Sequence, residues 1–319
     1  MKAMLIEAFG GPEVFSAGEV GQPEFKADEV LVKVHATSVN PVDYKLRQHG
    51  SSADILPPAI LGYDVSGVVE AVGAAVYTVA VGEEVYYSPE ILGNRPGSYA
   101  EYHAARAAIV ASKPVNLSHE QAASIPLAGM TAWDGLVEKA RVKVGESVLI
   151  HGAGGVGTLA IQIAKAAGAY VIAVCSDYMI DTAMSLGADH AINYKTENFV
   201  DIVKAKTDGF GVDVVFDTVG GDTLTRSIQV TKPFGRLVGV VSTDTGFRDA
   251  FGDNISVYPT FMQRARYKLD ALRVLIERGA LEPVIDSVMP LAEVAQAHRR
   301  LEQGGVKGKI VLRVVEEGE

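Results

Sequence analysis

Cysteine is nearly missing: Cys175 is the one such residue in 319. A lone cysteine closes no disulfide within the chain and builds no four-thiolate metal lobe. It also fits a reducing compartment, which predicts a cytoplasmic location. Long apolar runs are missing too. No stretch approaches the roughly 18 residues of a membrane span. The opening MKAMLIEAFGGPEVF carries Glu7 and no long apolar region, so no secretory signal is predicted. Positive charge is short: 29 Lys and Arg against 39 Asp and Glu leave a net charge of −10. That argues against nucleic acid or an anionic membrane as partner, since both need a basic field. Low-complexity segments and solenoid-period repeats are also lacking. The apolar fraction of 48% is that of a globular chain with a real core, and the length favours two domains over one.

Glycine, by contrast, is abundant, and one cluster organises the chain. Val148-Leu149-Ile150 is a short apolar run of the kind a buried parallel strand shows. Gly152-Ala153-Gly154-Gly155-Val156-Gly157 follows, then an Ala-rich apolar helix through Ile163 and Ala164, stopped by Gly168. A second apolar run, Tyr170 to Val174, completes a strand–turn–helix–strand unit. In such a unit Gly152 permits the tight turn, Gly154 lets backbone approach a pyrophosphate, and Gly157 lets helix pack on strand. The free N–H groups at the helix start, at Gly155, Val156 and Gly157, then face phosphates. A bare G-x-G-x-x-G is weak evidence in a glycine-rich chain. Strand before and helix after are the context it requires.

Around this unit the texture changes twice. Residues 1–118 read as mostly β, with apolar runs at Val30–Val34, Ile60–Val72 and Val81–Tyr87 and turn residues every eight to twelve positions. Ser118-x-x-Gln121 is a capping-box pattern that opens a helix, and Thr131 to Lys139 reads as another. Strand and helix then alternate to about Val241, which predicts a parallel sheet covered on both faces. Beyond residue 256 come helices at Lys268–Arg278 and Glu293–Glu302 and a terminal strand from Lys309. The expected fold class is α/β. It places a catalytic domain at 1–118, a dinucleotide-binding domain at 119–256, and a segment at 257–319 too short to stand alone that returns to the first.

The motifs GGPEV (10–14), SVNPVDYKLR (38–47), ILGYDVSGVV (60–69), HGAGGVGTLAIQIAK (151–165), LGADHAINY (186–194), FDTVGG (216–221) and GKIVLRV (308–314) span nearly the whole chain. Together they resemble the medium-chain dehydrogenase/reductase superfamily, and most closely its zinc-free quinone oxidoreductase branch. The resemblance implies a Rossmann dinucleotide-binding domain and a barrel-like, GroES-like catalytic domain. It also implies a nicotinamide cofactor and a metal-free site. Zinc-dependent relatives carry cysteine where this chain has Asn40 and histidine where it has Tyr63. The seven histidines are scattered, with no i, i+4 pair, and are expected mostly on the surface or in loops. Without a Lewis acid, the chemistry left is hydride delivery to a quinone or α,β-unsaturated carbonyl oriented by hydrogen bonds.

The same resemblance nominates site residues, each with a plainer alternative. Asn40 touches the nicotinamide ribose or substrate, or is a turn-forming Asn before Pro41. Lys45, where many relatives carry a pocket tyrosine, donates to a substrate oxygen or is solvated. Tyr63 is a phenolic donor or a packed core tyrosine. Thr131 lies near the nicotinamide or simply begins a helix. Thr218 and Val219 follow a strand on the ribose and nicotinamide side, and Val240, Val241 and Ser242 end the next strand. Ser176 and Tyr194 are donors for a 2′-phosphate. Cys175 stands where NAD-using relatives carry aspartate, which predicts NADPH. Against this, Asp177 lies close by and no Lys or Arg occurs between Val171 and His190. Competing functions are an enoyl-thioester reductase and a non-catalytic cofactor-binding protein. The apolar run Ile255–Tyr258 reads as a sheet edge through which a homodimer forms.

Overall fold

The structure is a computed structural model and describes residues 1–241 and 246–315. The chain divides into two compact units. One holds Met1–Leu127, Arg264–Arg278 and the residues from Pro283 on; the other holds Ala128–Gln263 and Gly279–Glu282. The sequence boundaries after 118 and 256 stand a short way before these breaks.

The first unit opens with β1 (Lys2–Ile6), β2 (Phe15–Glu19) and β3 (Glu29–Val39). β3 is the long strand: Val30, Val32, Val34 and Ala36 line one fully buried face, and on the other only Lys33 and His35 are half-buried. Helix α1 (Pro41–His49) follows at once. Asn40 is its N-cap and Pro41 its first residue, where a fixed φ and a missing N–H do no harm. Its buried residues are Asp43, Leu46 and Arg47. Two charged residues on the inner side erase the apolar stripe, so periodicity does not mark this helix. Then come β4 (Ala59–Ile60), β5 (Val65–Val72), β6 (Glu84–Tyr87), β7 (Tyr102–Arg106), β8 (Ala111–Ser112) and α2 (His119–Ala123). The predicted capping box opens α2: Ser118 N–H donates to Gln121 Oε1 at 3.0 Å and Gln121 N–H to Ser118 Oγ at 3.2 Å.

The second unit is the alternating one. Helix α3 (Pro126–Trp133) starts earlier than the predicted Thr131, and its continuation, Asp134–Lys139, is a π-turn. Widened turns of this kind recur at functional sites. After it come β9 (Ser147–His151), α4 (Gly155–Ala166), β10 (Tyr170–Cys175), α5 (Ile180–Ser185), β11 (His190–Asn193), α6 (Phe199–Lys206), β12 (Val212–Asp217), α7 (Thr223–Arg226), β13 (Thr231–Gly239) and β14 (Ser256–Pro259). Every strand pair is parallel, in the order β11-β10-β9-β12-β13-β14. Counted from β9, that is the 3-2-1-4-5-6 order of a doubly wound nucleotide-binding sheet, which binds ligands where the order reverses. The reversal lies between β9 and β12.

The chain closes with α8 (Arg266–Glu277), β15 (Ile285–Pro290), α9 (Val294–Glu302) and β16 (Lys309–Arg313). β16 pairs antiparallel with β3, with Ile310 opposite Val39. The order β15-β16-β3-β5-β6-β8 thus includes the terminal strands in the first unit's large sheet. Among the described residues no helix is long and apolar enough to cross a membrane.

Three of the seven histidines depart from expectation. His103, His151 and His298 are buried. Each ring finds internal partners: His103 lies between the Tyr87 hydroxyl at 2.9 Å and the Pro96 carbonyl at 3.1 Å, and His151 Nε2 meets Ser227 Oγ at 2.8 Å. A neutral imidazole satisfied in this way is cheap to bury.

Candidate functional site

In the second unit, the turn from β9 into α4 is built by three glycines with different constraints. Gly152 has φ +89°, and a Cβ there would stand 2.5 Å from Thr218 Oγ1. That hydroxyl donates to the His151 carbonyl at 2.7 Å, tying the ends of β9 and β12 together at the reversal point. A Cβ on Gly157 would lie 1.7 Å from the Gly152 carbonyl oxygen. Only glycine lets the helix start come so close. Gly154 is the N-cap of α4, and a Cβ there would meet nothing within 4 Å. It is open, beside first-turn N–H groups of Gly155, Val156 and Gly157 that have no acceptor within the helix. This cradle fits a dinucleotide pyrophosphate.

Residues after β12 are arranged by Asp217, which sequence reasoning did not single out. It is buried, and its Oδ1 accepts the N–H groups of Val219 at 2.8 Å and Gly220 at 3.1 Å. Its Oδ2 accepts from Thr223 Oγ1 at 2.6 Å. Its carbonyl accepts from the Val240 N–H at 3.1 Å. One residue thus fixes both loops nominated for the nicotinamide side, and leaves the Val219 side chain exposed. Val240 and Val241 are half-buried; Ser242 lies outside the described residues. Thr131 is buried on α3, three residues before the π-turn.

At the end of β10, Cys175 is buried and its thiol is pushed up to about 11 by that burial. The exposed chemistry begins one residue later. Ser176 Oγ donates to the Tyr194 hydroxyl at 3.3 Å, and Tyr194 is 57% exposed. The cation missing between Val171 and His190 is supplied from just beyond that window. Lys195 Nζ donates to Asp177 Oδ1 at 3.0 Å and sits 6.0 Å from the Tyr178 ring centre. The Lys195 hydrogen bond holds the Asp177 carboxyl below its ordinary range.

In the first unit, Asn40 is 2% exposed and held on three sides. Its N–H donates to Asp43 Oδ2 at 2.7 Å, its Nδ2 to Asp64 Oδ2 at 2.7 Å, and its Oδ1 accepts from Lys309 Nζ. Asp64 is fully buried and also receives Ser38 Oγ at 2.6 Å, the Leu127 N–H at 2.7 Å and Lys309 Nζ at 3.2 Å. The pairing of β16 with β3 brings Lys309 to Asn40. A buried ion pair that fixes a third side chain makes a positioning device, because every oxygen direction is already committed.

Behind Asn40, Asp43 Oδ2 also accepts the Tyr99 hydroxyl at 2.8 Å, while Oδ1 has no partner among the described residues. Burial lifts this carboxyl to about 7. Tyr99 meets His298 Nε2 at 3.1 Å, and His298 Nδ1 meets Arg47 Nη1 at 3.0 Å. Arginine can only donate, so Nδ1 accepts, Nε2 carries the proton, and the network orders itself from Arg47 to Asp43. Burial pushes His298 down to about 3.

Tyr63 is 1% exposed, and its hydroxyl has no hydrogen-bond partner among the described residues. Burial, and then the Asp43 charge, raise its phenol above the ordinary value. Lys45 is exposed and lies about half a turn round α1 from the buried Asp43–Arg47 side. Of the nominated residues in this unit, Asn40 shares its surroundings with Asp64 and Lys309, and Lys45 does not join them. Asp64 and Lys309 lie inside the motifs ILGYDVSGVV and GKIVLRV but were not nominated, since the role of each is defined by a partner far along the chain.

Residues 26–115 match the family described as alcohol dehydrogenase GroES-like domain, and residues 186–312 the family described as zinc-binding dehydrogenase. The second description implies zinc. Among the described residues no group of three or more His, Cys, Asp or Glu could hold a metal ion, so the residues do not fit it. The chain is 38% identical to the chloroplastic NADPH-dependent alkenal/one oxidoreductase of Arabidopsis thaliana, over 98% of this chain and 79% of that one. Its fold superposes on the quinone oxidoreductase of Coxiella burnetii with a TM-score of 0.89 at 37% identity, covering 99% of both chains. It superposes on a structure titled NAD-dependent alcohol dehydrogenase with a TM-score of 0.92 at 36% identity, covering 99% of this chain and 100% of that one. With its GroES-like and Rossmann-type parts and these relatives, the chain belongs to the medium-chain dehydrogenase/reductase superfamily, among its quinone oxidoreductases and alkenal reductases.

Proposed function

We propose that the chain is a zinc-independent, NADPH-dependent oxidoreductase that reduces quinones or α,β-unsaturated carbonyls. The observation that carries this is the open cradle at Gly154, set at the reversal point of the parallel sheet. In this reading the N–H groups of Gly155, Val156 and Gly157 hold the pyrophosphate. Thr131, Thr218, Val219, Val240 and Val241 serve the nicotinamide side. When bound, the reduced dinucleotide supplies the hydride. The chain supplies orientation and charge stabilisation. Asn40, locked by Asp64 and Lys309, presents one fixed face. Tyr63 offers an uncommitted hydroxyl to an acceptor oxygen. With no donor set for a metal among the described residues, polarisation falls in this reading to such hydrogen bonds.

NADPH is favoured over NADH by Ser176 and Tyr194, which can donate to a 2′-phosphate, and by Lys195, which adds a cation beside them. Asp177 Oδ1 accepts from Lys195, which offsets part of the repulsion its charge would exert on a 2′-phosphate. The titled NAD dependence of one structural neighbour is the contrary indication. A carboxylate at Cys175 would be buried, so position 176 is where an introduced negative charge tests selectivity. The protein is also proposed to be cytoplasmic and homodimeric, with β14 as the shared edge. Among the described residues β14 pairs with β13 alone.

Oxidation of NADPH and NADH against quinones, enals, enones, acyl thioesters and alcohols tests the reading, with zinc measured in the same preparation. Turnover of conjugated acceptors is expected, together with NADPH binding tighter than NADH by roughly tenfold to a hundredfold, the worth of one or two charge-assisted hydrogen bonds. Ser176→Asp should reverse that order. Alcohol oxidation without turnover of any conjugated acceptor overturns the substrate class. Tighter NADH binding by the unaltered protein overturns the cofactor, and stoichiometric zinc required for activity overturns metal independence.

A further inference from the structure

Asn40 is held twice, by different groups of the first unit. Its side chain is fixed by Asp64 and Lys309. Its main chain is fixed separately. Pro41 restricts the residue before it to extended backbone, and Asn40 has ψ 156°. Pro41 leaves φ broad. The Asn40 N–H, donated to Asp43 Oδ2 at 2.7 Å, sets it at −124°.

The acceptor is itself held. Asp43 Oδ2 also takes the Tyr99 hydroxyl at 2.8 Å, so where Tyr99 sends its single proton matters. His298 decides that. Arg47 Nη1 donates to His298 Nδ1 at 3.0 Å, so Nε2 carries the ring proton and donates to the Tyr99 oxygen at 3.1 Å. The Tyr99 proton is left for Asp43. Arg47 is anchored by Glu302 at 2.5 Å and by the Gly10 carbonyl at 3.0 Å. Tyr99 and His298 are fully buried, and the Phe15 ring stands edge-on to both, at 6.1 and 4.8 Å. Donation therefore runs one way, from α9 to the start of α1. Holding α1 against α9 does not require this. Apolar residues of similar volume would pack at least as stably. They would not give the Asn40 N–H a fixed acceptor.

We propose that Tyr99 and His298 are positioning residues: directed by Arg47, they fix Asp43 as the acceptor that sets the backbone of Asn40. This rests on the role given to Asn40 in the function proposed above. Neither residue touches the reacting atoms in this account. Each acts through Asp43, and the loss of either lets the Asn40 amide plane turn.

The full-length protein is tested as Tyr99→Phe, His298→Leu and His298→Gln. Tyr99→Phe removes one oxygen and keeps the ring, so it decides the matter even where His298→Leu folds poorly. Hydrogen exchange of the Asn40 amide, read by NMR without cofactor, should quicken about tenfold in Tyr99→Phe and His298→Leu, the worth of one hydrogen bond. The Gly152 amide, bonded to the Val174 carbonyl in the second unit, should not change. With NADPH and an enone, kcat should fall about 10- to 100-fold, the cost of a small misplacement, while KM and NADPH affinity stay within about twofold. The His298→Gln amide both accepts and donates, and should restore most of the exchange protection and kcat. Unchanged Asn40 exchange in Tyr99→Phe overturns the proposal. So does faster exchange with an unaltered kcat, or a His298→Gln no better than His298→Leu. If the unaltered protein reduces no conjugated acceptor while Asn40 exchange still answers to Tyr99 and His298, the proposed function falls and the fixing of Asn40 stands.

Discussion

Replacing Gly154 and Gly157 by alanine, one at a time, should separate cofactor binding from folding. At Gly154 the backbone has φ −82° and ψ −154°, which any residue adopts, and an added methyl meets nothing within 4 Å. The cofactor-free protein loses a good N-cap and gains by restricting the unfolded chain. The two effects oppose each other, and the net change should stay within about 1 kcal/mol. The methyl does, however, stand in the cradle where a pyrophosphate must approach backbone. A Kd for NADPH raised about 100-fold corresponds to about 2.7 kcal/mol of lost binding. Gly157→Ala differs in kind. Its methyl would start 1.7 Å from the Gly152 carbonyl oxygen. A carbon–oxygen contact relaxes only near about 3.3 Å, so helix and turn must part by on the order of 1.5 Å. Overpacking of that size costs about 1–3 kcal/mol or more even without ligand. Urea unfolding of the cofactor-free proteins and fluorescence titration with NADPH give both quantities. Gly154→Ala binding NADPH within twofold of the unaltered protein would refute the cradle. Equal destabilisation by the two substitutions would refute the distinction between them.

Two further expectations concern the first unit. Lys309→Met leaves Asp64 buried without its cation and should destabilise by about 3–5 kcal/mol. Adding Asp64→Asn should recover part of that loss in urea midpoints, and strict additivity would mean the pair is not coupled. The pH dependence of Asp43→Asn follows from its raised pKa. The folded protein holds a proton on Asp43 that the unfolded chain releases between 3.8 and about 7, so this group's stabilising contribution is present below 3.8 and lost as pH rises through 7. The variant should therefore be more stable than the unaltered protein at about pH 8.5, with the gap closing toward about pH 4. A gap that does not change with pH would count against it. His298, His103 and His151, pushed by burial to about 3, 4 and 4, act in the opposite sense. Their contributions are present above 6.5 and lost as pH falls, so both proteins should weaken together in acid.

Where an element is defined by its own residues, it could be read from the chain. The glycine turn, the capping box at Ser118 and the alternation from β9 to β13 each depend on spacings of a few residues. Helix α1 could not be read this way, because its buried side carries Asp43 and Arg47. Their cost of burial is met by Tyr99, His298 and Glu302, none of which lies near them in sequence. His103, His151 and His298 mislead for the same reason: isolated in the sequence, they are buried because other groups satisfy their ring nitrogens.

The candidate site divides along the same line. Asn40 was visible through its motif, but what fixes it is Lys309, 269 residues away, which reads locally as an ordinary strand residue in GKIVL. Lys45 had a motif position and no structural partner among the described residues, and it stands exposed. Lys195 had the converse: it lay just outside the window in which a cation was sought, yet the parallel pairing of β10 with β11 brings it to Asp177. A motif therefore locates the backbone of this site more reliably than its charges. The backbone requirements are local and steric, as at Gly157. The charges are set by which distant strands pair, and in the first unit the pairing of β16 with β3 decides that Asn40 is held rigid while Tyr63 keeps a hydroxyl to spare.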